Sequence, residues 1–205
     1  MKKHIFAMAV VTLAAGSAFA QAGDTLAKIK SSGSITLGVR ESSGLSYTLG
    51  NGKYVGFHTE MAEHIISDIR KQLGLAALET KYQPVTSQNR IPLVTNGTVD
   101  LECGSTTNNA TRQKDVAFAV TTYVEEVRMV VKANSGIASI KGLNGKSVAT
   151  TTGTTSVQTL RKNERAGGID FKEVYGKDHA DSFLLLETGR ADAFVMDGSI
   201  LAANI

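Results

Sequence analysis

The chain has 205 residues, 22 Lys and Arg against 19 Asp and Glu, a net charge of +3, and 42% hydrophobic residues. That length holds one large or two small domains, each with a core. The charges are interspersed rather than clustered, which excludes the basic footprint of a nucleic-acid binder, and no apolar run reaches the roughly 20 residues that span a bilayer.

Lys2 and Lys3 precede an apolar stretch from Ile5 to Ala15, and Ala18-Phe19-Ala20 places small residues at the cleavage positions. This is the pattern of a secretory signal peptide over residues 1–20, removed after Ala20. From Ile35, short β-type runs alternate with helical ones. Ile35 to Val39 reads as a strand, Met61 to Leu73 as an amphipathic helix with Met61, Ile65, Ile69 and Leu73 on one stripe, and Thr80 to Val85 as a second strand. His64 falls on the surface or boundary of that helix. Ser87 to Asn96 is a short helix opening on Thr86 and ended by Gly97, followed by the strand Val99 to Cys103 and a loop. Tyr123 to Lys132 is a long β-rich run. The rhythm then restarts with Ser147 to Thr151 as strand, Ser156 to Arg165 as helix, Phe171 to Tyr175 as strand, Ser182 to Thr188 as helix and Ala193 to Met196 as strand. Two α/β units joined by an extended segment account for this order, with no tandem repeat of fixed period.

Motifs for chemistry fail one after another. Gly145-Lys146-Ser147 ends like a phosphate-binding loop, but Ile140 stands where that loop needs glycine, so no nucleotide cofactor is implied. His4, His58, His64 and His179 lack metal-ligand spacing, so no metal site is expected. Ser105, His179 and Asp197 make a triad only on paper, since no G-x-S-x-G elbow surrounds any serine. Cys103 stands alone in a chain addressed to an oxidising compartment, and is either missing a partner or a buried thiol acting as a small hydrophobe.

What remains is a set of polar loops, each following a strand: Arg40 to Ser43, Thr86 to Arg90, Gly104 to Asn109 with Arg112 beyond, Thr150 to Ser156, and Lys177 to Ser182. Open α/β sheets bind ligands outside the carboxyl ends of their strands. Hydroxyls and loops that run into helix N-termini suit a small anion there. The competing roles are helix capping for Thr86 and for one of Thr155 and Ser156, and solvated surface pairing for the arginines.

The stretches Arg40-Glu41-Ser42-Ser43, Thr86 to Leu93, Glu102 to Asn109, Lys177-Asp178-His179 and Asp181-Ser182-Phe183 closely resemble the polar amino-acid solute-binding proteins of ABC importers, in particular their periplasmic acidic subgroup. The resemblance implies a type II-like, two-lobe α/β periplasmic-binding-protein fold with a hinge, residues 21–124 in lobe 1 and 125–205 in lobe 2. It implies L-glutamate or L-aspartate as ligand, the membrane permease subunits of an ABC importer as partner, and a periplasmic monomer without cofactor, catalysis or nucleic acid. Carried over by position, Arg112 clamps the α-carboxylate with Ser105 and Thr107, and Asp197 takes the α-ammonium. Arg40, Ser87, Arg90 and His179 surround the side-chain carboxylate, while Thr151 and Thr154 add hydrogen bonds from lobe 2. Family members run on beyond the position of Ile205, so the resemblance also implies that the second lobe and the return segment are incomplete, with a partner for Cys103 in the part not present. A dehydratase-type enzyme on the same fold and the ligand-binding domain of a sensor are the alternatives. The enzyme needs an acid or base beside a leaving hydroxyl, whereas these loops offer cationic clamps.

Overall fold

The computed structural model describes residues 24–41 and 43–205, so the expected signal peptide and Ser42 lie outside the described residues. The first unit opens with α1 (Thr25–Ser32), whose N-cap Asp24 accepts from the Leu26 amide and whose exit Gly33 is left-handed. No reading of the sequence places this helix, because its single buried residue, Ile29, sets up no periodic stripe. β1 (Ser34–Val39) follows, then a hairpin of β2 (Tyr47–Gly50) and β3 (Lys53–Val55). The hairpin turns on Asn51 and Gly52, both with positive φ, as a two-residue loop with primed twist requires.

α2 (Phe57–Gln72) starts four residues before the expected stripe. Its fully buried side chains are His58, Thr59, Ala62 and Ile66, with Ile69 and Leu73 against the same core, whereas Met61 and Ile65 lie one step round the helix and border a cavity. β4 (Glu79–Pro84) leads to α3 (Arg90–Thr95), and β5 (Leu101–Glu102) is shorter than the five residues expected. The sheet runs β4-β1-β5, all parallel, with Ile35, Leu37 and Val39 of β1 at its centre.

Residues 104–126 contain no strand or α-helix, and the expected long strand is confined to β6 (Val127–Val131). The second unit adds β7 (Ser147–Thr151), α4 (Ser156–Gly167), β8 (Lys172–Gly176), α5 (His179–Glu187), β9 (Ala193–Asp197) and the short α6 (Gly198–Ala202). Its sheet order is β6-β9-β7-β8, with only β6 antiparallel. Alternation along β9 sends Phe194 and Met196 to one core with Leu186 and Ile200, and Ala193 and Val195 to another with Leu143, Val148 and Leu160. Burial on both faces accounts for the unbroken apolar run from Ala193 to Met196.

A local device occurs twice, although no fixed-period repeat is visible. In Asn96-Gly97-Thr98-Val99-Asp100 the helix leaves through Gly97, Val99 N–H returns to the Leu93 carbonyl, and Asp100 brackets Thr36. The Thr36 amide donates to Asp100 Oδ2 at 2.8 Å while the Asp100 amide donates to the Thr36 carbonyl at 2.9 Å. In Thr188-Gly189-Arg190-Ala191-Asp192 the same bonds recur: Ala191 to Leu185, the Ser147 amide to Asp192 Oδ2 at 2.8 Å, and the Asp192 amide to the Ser147 carbonyl at 2.7 Å. Each aspartate fixes the first residues of the central strand in its unit.

Candidate ligand-binding site

Both sheets switch direction at one strand. β1 lies between β4 and β5, and β7 between β8 and β9, so a crevice forms beyond the carboxyl ends of β1 and β7. Arg40 is the residue after β1, and Thr151 is the last of β7. The two units touch there. Arg112 donates through Nη1 to the Thr107 carbonyl at 3.0 Å and through Nη2 to the Gly153 carbonyl at 3.1 Å, while the Thr107 and Thr155 hydroxyls lie 3.1 Å apart.

The first unit supplies the cations. Arg40 is 4% and Arg90 2% exposed. Arg40 Nε, Nη1 and Nη2, Arg90 Nε and Nη1, and the Ser87 hydroxyl are buried without a partner among the described residues. Burying donors unsatisfied costs on the order of 1–3 kcal/mol for each group, more when charged, so this cluster is built for an acceptor. Burial pulls both guanidiniums down to about 10 against the opposing field of Glu102, which leaves them cationic at neutral pH. Glu102 accepts the Thr106 hydroxyl at 2.7 Å on Oε2 and keeps Oε1 unpartnered. Thr86 and Asn89 exchange side-chain and backbone hydrogen bonds, as N-cap and N3 residues do, and the turn over residues 87–89 that they close leads into α3 at Arg90.

The second unit supplies hydroxyls, an imidazole and a carboxylate. His179 opens α5 behind Asp178, whose Oδ1 caps the Asp181 amide at 2.9 Å. His179 Nδ1 lies 3.0 Å from the Thr151 hydroxyl, and Nε2 is buried without a partner. Burial, then the charges of Arg40 and Arg90, push this imidazole down to about 2, so it is neutral. Thr151 also meets Ser182 Oγ at 2.8 Å, and Thr154 donates to the Thr151 carbonyl at 2.8 Å, so both hydroxyls are engaged inside their own unit. Asp197 accepts from Ser156 Oγ at 3.3 Å, and burial raises its pKa. Neither Thr155 nor Ser156 caps α4 with its side chain, because one hydroxyl is drawn to Thr107 and the other to Asp197.

Two cavities border these groups. One of 360 Å³ is lined by Arg90, Ser105, Thr107 and Asp197 but also by apolar Met61, Ile65, Ile91 and Val94, and one of 310 Å³ reaches His179 beside Tyr47 and Asn204. Volume alone does not locate the chemistry, since much of the larger cavity is apolar; the orphaned guanidinium donors do. Sequence reasoning passed over Glu102, Asp178 and Ser182 as site residues, though Asp178 and Ser182 stand in a polar loop it singled out and Glu102 in the strand that leads into another. His179 pairs with Thr151 and not with Ser105, so no triad forms.

Two α/β units facing one another across donor-lined strand ends, tied by one guanidinium, define a two-lobe small-solute receptor of the kind that closes by hinge motion. Residues 35–189 match the family of bacterial extracellular solute-binding proteins, family 3, and the chain belongs to it. It is 44% identical over 210 residues to the glutamate/aspartate import solute-binding protein of Salmonella typhimurium and 42% identical to that of Escherichia coli, covering 100% of this chain and 70% of each relative. Among solved structures, a solute receptor for L-cysteine from Neisseria gonorrhoeae superposes with a TM-score of 0.76 at 25% identity, over 87% of this chain and 70% of that one.

Proposed function

We propose that this protein captures L-glutamate or L-aspartate outside the cytoplasmic membrane and delivers it to the permease subunits of an ABC importer. It is a solute-binding protein and not an enzyme, in keeping with its family. The observation that carries the ligand is the pair Arg40 and Arg90, buried with at least five N–H groups unmet. A planar guanidinium matches a carboxylate in a bidentate manner, which a lysine cannot do. The relatives that run the length of the chain carry glutamate and aspartate in their names.

In this reading residues 21–124 form lobe 1 and 125–205 lobe 2. Arg112 clamps the α-carboxylate with Ser105 and Thr107, and Asp197 receives the α-ammonium. Arg40, Ser87 and Arg90 hold the distal carboxylate, with His179 lining the same end of the cleft. Thr151 and Thr154 act from lobe 2, Thr151 by fixing the His179 ring through the 3.0 Å contact. The ligand bridges groups on both lobes and therefore favours the closed arrangement. Residues 1–20 direct export to the periplasm, which N-terminal sequencing of a periplasmic fraction tests by a start at Gln21.

Calorimetric titration with glutamate, aspartate, glutamine, arginine and cysteine tests the ligand. Saturable heat from the two acidic amino acids is expected. Binding of arginine or cysteine with none of glutamate or aspartate sinks this assignment.

A further inference from the structure

The loop between β7 and α4 crosses to the other lobe with its backbone rather than with a long side chain. Gly153 has φ +80, and a Cβ placed on it would stand 2.9 Å from Gln88 Cα, Gln88 N and the Ser87 carbonyl carbon. All three are main-chain atoms, which cannot swing aside as a side chain does. The Gly153 carbonyl accepts from Arg112 Nη2 of lobe 1 at 3.1 Å, and Thr155, two residues on, meets Thr107 of lobe 1. Three contacts between the lobes thus converge on one short loop, and the approach to residues 87 and 88 exists only because residue 153 has no side chain.

We propose that Gly153 is a positioning residue that sets how far the lobes close, and thereby how long a captured amino acid is retained. This rests on the reading of the chain as an amino-acid receptor. Without a Cβ at 153, the β7–α4 loop seats directly on residues 87 and 88, bringing Arg112 within reach of lobe 2. A methyl group there holds the lobes apart at this approach. The ligand still enters when the lobes part, so association changes little, but the closed arrangement, whose contacts at Gly153 and Thr155 are made by protein groups alone, is weakened with and without ligand.

Gly145 separates this from ordinary glycine strain. It lies in the same lobe with φ +71 and nothing within 4 Å of a built Cβ, so Gly145→Ala carries the cost of a left-handed backbone without a clash. Stopped-flow glutamate binding by the full-length protein and its Gly153→Ala and Gly145→Ala variants should show dissociation faster by about tenfold or more for Gly153→Ala alone, with association changed by less than about twofold. Fluorescent labels on α2 and α4, at Asp68→Cys and Lys162→Cys in a Cys103→Ser background, should report a wider separation for Gly153→Ala, with ligand and without. Dissociation and label separation equal to those of Gly145→Ala overturn the proposal. If Gly153→Ala does not fold, Thr155→Val loosens the same contact from the neighbouring hydroxyl, and unchanged dissociation in that variant overturns it equally. Failure of the wild-type protein to bind glutamate or aspartate counts against the ligand assignment alone, because the ligand-free label separation still decides the role of Gly153.

Discussion

The Thr151 hydroxyl and His179 Nδ1 lie 3.0 Å apart, and the bonds around them determine which atom carries the proton. Ser182 Oγ lies 2.8 Å from the Asp178 carbonyl and 3.2 Å from that of Thr150, so its proton goes to a carbonyl. The 2.8 Å contact between Ser182 and Thr151 is then donated by Thr151, whose oxygen is left to accept from His179 Nδ1–H. His179 is accordingly a neutral Nδ1–H tautomer with Nε2 as a buried lone pair. Nitrogen NMR of the ligand-free protein should show that tautomer unchanged from pH 8 to pH 5. A doubly protonated ring at pH 6 contradicts the assignment.

The same imidazole makes stability depend on pH. Its folded pKa of about 2 lies below the ordinary 6.5, so the unfolded chain takes up a proton that the folded chain refuses. The stability is complete above pH 6.5 and is lost as the pH falls toward 2, with a slope of about 1.4 kcal/mol per pH unit for one proton. Urea unfolding at pH 7, 6, 5 and 4 should give a shallower slope for His179→Gln than for wild type, by about one proton below pH 6.

Arg112→Ala removes the bond to Gly153 and, with it, the proposed clamp on the ligand α-carboxylate. Affinity for glutamate should fall by about 2 to 5 kcal/mol, roughly 30-fold to several-thousand-fold. Equal affinities by titration would take Arg112 out of the site.

Arg40 and Arg90 should make the protein prefer glutamate and aspartate to glutamine and asparagine by about two orders of magnitude or more, on the scale of 2 to 5 kcal/mol for a buried charge left unpaired. An amide turns N–H donors toward guanidinium donors. Competitive titration against wild type and Arg90→Met tests this, with the variant losing most of the discrimination. Glutamine binding wild type as tightly as glutamate would falsify the acidic preference.

Asp100 and Asp192 should both matter for stability through the strand amides they hold, Asp100 the more because its Oδ1 also accepts from Lys28 Nζ at 2.8 Å. Replacing either by Ala leaves one strand amide, that of Thr36 or of Ser147, without its acceptor. Each variant should lose about 1 to 3 kcal/mol of unfolding free energy, and the double variant should lose the sum, because the two act in separate sheets. A double variant no less stable than either single one would show that the two rings are not independent.

Where hydrophobic periodicity was strong, the sequence was legible: β1, β7 and β9 lie within a residue of their expected ends, and the polar loops do sit beyond them. α1 and the β2–β3 hairpin were not placed, because one buried Ile29 and an exposed ribbon leave little apolar pattern. β5 and β6 are shorter because the Val99 amide returns to the Leu93 carbonyl and Glu125 and Glu126, poor strand formers, precede β6. Arg40, Arg90 and Arg112 were visible as arginines in strand-end loops. The engagement of the Thr151 hydroxyl by His179 and Ser182 depends on contacts across 28 and 31 residues, which no local pattern carries.

The paired aspartate rings have a mechanical corollary. Each closes within its own sheet, so turning one sheet against the other stretches neither, and residues 104–126 between them hold no ladder to resist. Rotation of one sheet against the other is then taken up in that span, while each sheet keeps its own aspartate ring. Capturing a solute then freezes chiefly one angular coordinate rather than many independent loops, and the entropy lost on binding is correspondingly small.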